Sequence, residues 1–249
     1  MADAAAAFSR IDLKTHALLL DVDGTLLDIA PKPDLVVVPP GLIEDLTRLH
    51  DLSGGAVAFV SGRKIAVMDA LFRPLVLPAV GVHGAEMRTG RGSIERRTEP
   101  LPVLLRQKLV DGANALGLLT EDKETSVTIH FRLAPEKEKD AEALVANACR
   151  EFSAENLHIA RNKMIVEVLR GGIDKGAGIE ALMARVPFAG RIPVFVGDDA
   201  TDEKGFAAMA GFKGMPFSIG RNFPGLAGIF PNPTAFRAAL QALARPATG

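Results

Sequence analysis

The sequence predicts an α/β fold: a Rossmann-like parallel sheet flanked by helices, with an inserted α+β domain in its middle. Three observations predict it. Short apolar runs, β-branched in places, each close on Gly, Asp or Ser; helical patterns alternate with them; and between residues 95 and 168 the pattern changes. Runs of this length suit strands buried on both faces. Alternation with helices argues for parallel pairing with crossover helices.

In chain order, the strand candidates of the main domain are HALLLDVDG (16–24), GAVAFVSGR (55–63), LPAVGVHG (77–84), IPVFVGDD (192–199) and MPFSIG (215–220). PGLIEDLTRLHDL (40–52) and DKGAGIEALMARV (174–186) carry helical periodicity between them. In open α/β sheets, ligands sit beyond the carboxyl ends of the strands. The polar residues of these runs gather at those ends. The insert begins with a helical pattern at 102–117, followed by SVTIHFRLA (126–134), which alternates like a half-buried strand. PEKEKDAEALVANACREF (135–152) opens on Pro and acidic residues, as helix N-termini do. NLHIARN (156–162) and KMIVEVLR (163–170) read as a hairpin. The expected division is therefore 1–94 with 169–249 as the main domain, and 95–168 as the insert.

Composition narrows the function. A formal net charge of -1 over 249 residues argues against a nucleic-acid surface, which shows as a basic excess. The single cysteine, Cys149, rules out an intramolecular disulfide and suits a reducing compartment. No uninterrupted apolar run approaches the roughly 20 residues that span a bilayer, and MADAAAAFSRIDLK at the start lacks a leucine-rich apolar stretch. A cytoplasmic protein with no membrane partner is expected.

The chemistry lies at the strand ends. Asp21 and Asp23 follow the run ALLL, and side chains two apart on an extended chain point the same way. Two carboxylates this close resist joint ionisation unless a cation intervenes. Mg²⁺ there would keep Asp21 ionised and nucleophilic, leaving Asp23 to donate a proton to a leaving oxygen and later activate water. Ser61 ends the second run, where its hydroxyl and the turn amides suit phosphate oxygens. Arg63, two residues on, is a candidate contact to phosphate or sugar. Lys175 stands at a predicted helix start, against the helix dipole, which a nearby anion explains. In VGDDATDE (196–203), Asp198, Asp199 and Asp202 crowd negative charge into one loop, a pattern suited to a hard cation.

The order of Asp pair, Ser, Lys and Asp cluster resembles the four motifs of the haloacid dehalogenase superfamily: DVDGT (21–25), Ser61, Lys175 and GDDATD (197–202). The resemblance implies a fold core of that type, Asp21 as nucleophile and Asp23 as acid/base. It also implies Mg²⁺ held by Asp21, the Asp23 carbonyl and Asp198, with Asp202 in support, and an insert acting as an α+β cap. Within the superfamily, the stretches DVDGTLLDI, VSGR, GVHGAEMR, IHFR, KMIVEV and GDDATDEKGF are similar to the trehalose-6-phosphate phosphatases. That likeness implies hydrolysis of a small-molecule sugar phosphate, with Arg132, Lys163 and Glu167 gripping the sugar, and it adds His83 and Glu86 to the substrate-binding candidates. Phe131 departs from the tyrosine usual in that family, removing a hydroxyl expected near the cap surface. A phosphatase for another sugar or glycoside phosphate is the nearest alternative. A non-catalytic domain binding a sugar phosphate or a trehalose-6-phosphate synthase is the other.

Overall fold

The computed structural model describes residues 3–32, 35–162 and 164–245. Its elements run α1 (Ala4–Phe8), β1 (His16–Leu20), α2 (Leu42–Leu52), β2 (Val57–Val60), α3 (Ile65–Leu71), β3 (Ala79–Gly81), β4 (Glu86–Arg88), β5 (Glu95–Arg96), α4 (Val103–Ala115), β6 (Leu119–Asp122) and β7 (Ser126–His130). They continue with α5 (Glu138–Glu151), β8 (Leu157–Asn162), β9 (Ile165–Arg170), α6 (Lys175–Met183), β10 (Ile192–Gly197), α7 (Glu203–Ala208), β11 (Met215–Ile219), β12 (Gly228–Phe230) and α8 (Pro233–Ala244). The chain divides into two compact units, Met1–Glu95 with Asp174–Gly249, and Arg96–Ile173.

The first unit is built on a sheet in the order β12-β11-β10-β1-β2-β3-β4-β5. Its strands pair in parallel from β12 to β3, and β4 turns back antiparallel on β3. The period-two alternation of each strand sorts side chains onto two cores. Leu18, Leu20, Phe59, Val196 and Phe217 pack on one face with α2 and α8, while Ala17, Leu19, Val60 and Phe195 pack on the other with Ile179 and Leu182 of α6. Both faces are covered, which is why the strands read as unbroken apolar runs. Phe8 of α1 meets the rings of Phe217, Phe230 and Phe236 edge-on at 5.5, 5.7 and 5.5 Å. A buried Phe of this kind contributes about 1.5–3 kcal/mol.

The second unit is an antiparallel sheet, β6-β7-β9-β8. One face buries Val127, Ile129, Val166 and Val168 against Leu105 and Leu109 of α4 and Val145 of α5. Three features of this unit go beyond the sequence reading. Residues 119–122 form a strand that the polar LTED does not announce, because ladder bonds to β7 rather than side-chain pattern hold it. β9 runs on to Arg170, paired with Leu157 of β8, and the unit extends to Ile173. Phe131 lies in the core of this unit, 3% exposed, and not at its surface. No helix of the described residues is long and apolar enough to cross a membrane.

Candidate active site

Asp21 is the first residue beyond β1. Its N–H still donates to the Val196 carbonyl of β10 at 3.0 Å, so the sheet ladder fixes its backbone. The chain then folds tightly: the amides of Leu26 and Leu27 donate to the Val22 carbonyl, and Gly24 to that of Leu27. Gly24 has φ +79°, and a Cβ there would stand 2.2 Å from Asp198 Oδ2. Only glycine allows the first and last acidic segments to approach this closely.

Lys175 begins α6, whose N-terminus is capped by Asp174 accepting the Ala177 N–H at 2.8 Å. The Lys175 ammonium is buried, 3% exposed, and donates to Asp21 Oδ1 at 2.8 Å and to Asp202 Oδ1 at 2.7 Å. The anion that its position requires is thus a pair of carboxylates. Asp202, wholly buried, also accepts the N–H groups of Asp198 and Asp199 on Oδ2 at 3.0 and 3.1 Å. Its lone pairs are therefore engaged by Lys175 and the loop backbone, and it shapes the loop. Asp199 caps the following turn, accepting from the Thr201 N–H and hydroxyl.

Among the described residues, Asp21, Asp198 and Asp202 each offer a carboxylate oxygen within 4.8 Å of the others. Burial pushes Asp21 up to about 7, reinforced by Asp198 and Asp199 and opposed by Lys175. Asp198 also rises to about 7, through burial and then its neighbours Asp199 and Asp202. Burial works against the Lys175 ammonium as well, but Asp202 and Asp21 outweigh it and hold it charged well above the usual lysine range. One ammonium against three carboxylates is too little positive charge. An all-oxygen donor set with that deficit, in a cradle that a Cβ at Gly24 would fill, fits a hard divalent cation.

Asp23 makes a contact that the sequence does not show. Its carboxylate is held by Arg63 through two bonds, Nε at 2.6 Å and Nη2 at 2.7 Å. Arg63 thus meets the carboxylate expected to carry the proton. Ser61, 2% exposed, accepts the Arg63 N–H on its hydroxyl at 3.3 Å. The structure thus joins Asp21, Lys175, Asp198 and Asp202 directly, and ties Asp23, Arg63 and Ser61 into a second contact group.

In the second unit, Glu167 is 2% exposed. Its Oε1 accepts from Ser126 Oγ at 2.7 Å and from Lys123 Nζ at 3.2 Å, and Lys123 also donates to Thr128 at 3.2 Å. Glu121 lies 3.8 Å from both Lys123 and His130. The contacts of Lys123 and Glu121 with Glu167 and His130 are not legible in the sequence. The signal there is an acidic and a basic residue two apart in TEDK, which by itself reads as a solvated edge. Arg132 is half-buried just beyond β7. Lys163 lies outside the described residues. β9 begins at Ile165, after Met164 at φ +64°.

Known proteins of similar sequence and of similar fold agree with one another. A family model described as trehalose-phosphatase matches residues 19–223. A probable trehalose-phosphate phosphatase of Sinorhizobium fredii is 38% identical over 237 residues, covering 94% of this chain and 89% of the relative. The trehalose-6-phosphate phosphatase of Escherichia coli is 37% identical over 210 residues, 82% of this chain and 77% of the relative. A bifunctional trehalose-6-phosphate synthase/phosphatase of Thermoproteus tenax is 32% identical over 199 residues, 76% of this chain but 26% of that protein. In fold, the chain is similar to the C-terminal domain of trehalose-6-phosphate phosphatase from C. albicans, with a TM-score of 0.84 and 98% of each chain covered at 17% identity.

Proposed function

The chain belongs to the trehalose-phosphatase family, and from that premise we propose that it hydrolyses trehalose 6-phosphate to trehalose and phosphate through a phosphoryl group carried on Asp21. The observation that carries the chemistry is the buried contact of Lys175 with both Asp21 and Asp202 beside Asp198. Asp21 Oδ attacks phosphorus as the bond to the sugar oxygen breaks, and Asp23 gives that oxygen its proton. Water then attacks phosphorus, Asp23 takes its proton, and the aspartyl bond breaks. Lys175 offsets charge on Asp21, and the Ser61 turn receives phosphate oxygens. Asp21 and Asp198 would hold Mg²⁺, which would supply positive charge to keep both carboxylates ionised and offset charge on the phosphoryl group. Residues 96–173 act as the cap. The T. tenax relative, with both activities in one chain, supports a synthase as working partner. The lone Cys149 supports a cytoplasmic setting.

Phosphate release from a panel of sugar phosphates, with and without EDTA, tests this reading. Turnover of trehalose 6-phosphate well above that of hexose phosphates is expected, and an EDTA-insensitive rate would overturn it. Asp198→Ala should abolish the Mg²⁺-dependent rate.

The carboxyl pKa values give a pH test. In the unfolded chain, Asp21 and Asp198 ionise near 3.8, whereas in the metal-free fold both hold protons up to about 7. The folded state therefore binds more protons across that window, and stability falls as pH rises from about 4 to about 7. Cation binding must displace those protons, so the melting-temperature gain from Mg²⁺ should grow as pH rises over the same range. Equal gains at pH 5 and pH 8 would show that these carboxylates are not the ligands.

Glu167 tests the sugar assignment. Glu167→Gln keeps an acceptor for Ser126 and removes the charge facing Lys123. It should lower kcat/KM on trehalose 6-phosphate about tenfold to hundredfold, the weight of a charged hydrogen bond, while sparing p-nitrophenyl phosphate. Parallel loss on both substrates would remove the sugar contact.

A further inference from the structure

Between β3 and β4 the backbone passes through Val82 at φ +46° and His83 at φ +54°. A β-branched residue in the left-handed region is an outlier that surrounding structure must enforce. The enforcing contacts run to two neighbours. Toward the Ser61 loop, the Val82 N–H donates to the Arg63 carbonyl at 2.9 Å and the His83 N–H to the Ser61 carbonyl at 3.1 Å. The His83 ring covers Gly62 so closely that a Cβ there would lie 2.5 Å from Nε2. Glu86 Oε2 accepts the Ile65 N–H at 2.9 Å, at the start of α3, where the N-cap residue Lys64 supplies no side-chain bond. Toward α6, a Cβ on Gly84 would lie 2.6 Å from the Asp174 carbonyl, the residue before Lys175. Gly178 presses on Val80 and Gly84 from the same helix.

We infer that His83 and Glu86 are positioning residues: the strained Val82–Glu86 turn is a spacer that sets the Ser61–Arg63 loop, and through Arg63 the Asp23 carboxylate, against the start of the Lys175 helix. They act on the reaction through these neighbours and make no grip on the sugar. The inference rests on the proposed hydrolase activity for its kinetic consequences, but the contact itself does not. A hairpin from β3 to β4 closes without φ > 0 at valine, so chain reversal alone does not call for this bend. Three anchors onto the Ser61–Arg63 loop, a fourth at the start of α3 and close backbone contact with α6 do call for it. The strain persists because releasing it would shift Ser61, Arg63 and Lys175 relative to one another.

The test compares Glu86→Ala with Glu86→Gln, whose amide oxygen still accepts the Ile65 N–H. Steady-state kinetics on trehalose 6-phosphate and p-nitrophenyl phosphate are paired with amide hydrogen exchange of the segment 61–71. Glu86→Ala should lower kcat on both substrates by the same factor, about tenfold to hundredfold, as small displacements of reacting groups do. Exchange of 61–71 should quicken, and Glu86→Gln should restore most of both. Glu86→Asp, one methylene short, replaces the alanine variant if that protein melts early. A loss confined to the sugar substrate, or exchange unchanged in Glu86→Ala, would overturn the inference. A wild-type protein inert toward both substrates would sink the activity reading alone, because the exchange comparison would still decide the contact.

Discussion

Asp21→Asn is expected to lower kcat by about 10⁴-fold or more on trehalose 6-phosphate and p-nitrophenyl phosphate alike, as loss of a covalent nucleophile does. The amide cannot attack phosphorus, and no neighbouring carboxylate replaces it: Asp198 belongs to the acidic cluster, Asp202 is engaged by Lys175 and two backbone amides, and Asp23 is clamped by Arg63. The fold should persist. Asparagine keeps its oxygen for Lys175 and turns an amide N–H toward the Thr25 hydroxyl, which can accept it, and the change removes a buried carboxyl that ionises only against its surroundings. Circular dichroism and a melting curve check the fold, and mass spectrometry checks for deamidation back to aspartate. Substantial turnover by an intact Asp21→Asn protein would remove Asp21 from the centre of the chemistry.

The second large effect is on Lys175. Lys175→Met matches the side chain's length but withdraws the ammonium bonded to Asp21 and Asp202, both buried. Breaking one side of a buried ion pair costs about 3–5 kcal/mol. A chain of this size should lose roughly 6–20 °C in melting temperature for such a change. Activity should vanish as well, since Asp21 would face its acidic neighbours without that fixed positive charge. The double variant Lys175→Met with Asp202→Asn separates the two effects. Removing the stranded carboxylate should return part of the stability and none of the activity. A Lys175→Met protein as stable as wild type would mean that the ammonium is not the partner of the buried carboxylates.

What is legible in the sequence follows from how each residue is held. β1, β2, β3, β10 and β11 are readable because burial on both faces leaves runs such as ALLL and PVFVG with no polar interruption, and their ends put Asp21, Ser61 and Asp198 at the correct edge of the sheet. Lys175 is readable because a lysine opening a helix is electrostatically wrong unless an anion waits there. Contacts between segments distant in sequence are not readable. Arg63 reaches Asp23 across 40 positions and Glu86 reaches Ile65 across 21. Nothing local distinguishes an arginine destined for a carboxylate from one destined for phosphate. Glu121, Lys123 and the partners of Glu167 stay hidden for a related reason. Charges read as solvated, and only the pairing of β6, β7 and β9 buries them together.

The phosphoryl transfer to Asp21 is most directly tested by a single turnover of trehalose 6-phosphate labelled with ³²P, with enzyme in excess and Mg²⁺ present, quenched in acid within the dead time of a rapid mixer. Label should precipitate with the protein, decay into inorganic phosphate on a chase, be released by hydroxylamine as acyl phosphates are, and be absent from Asp21→Asn. Release of phosphate at the wild-type rate with no labelled protein at any time, or label that persists in Asp21→Asn, would contradict a phosphoryl group carried on Asp21.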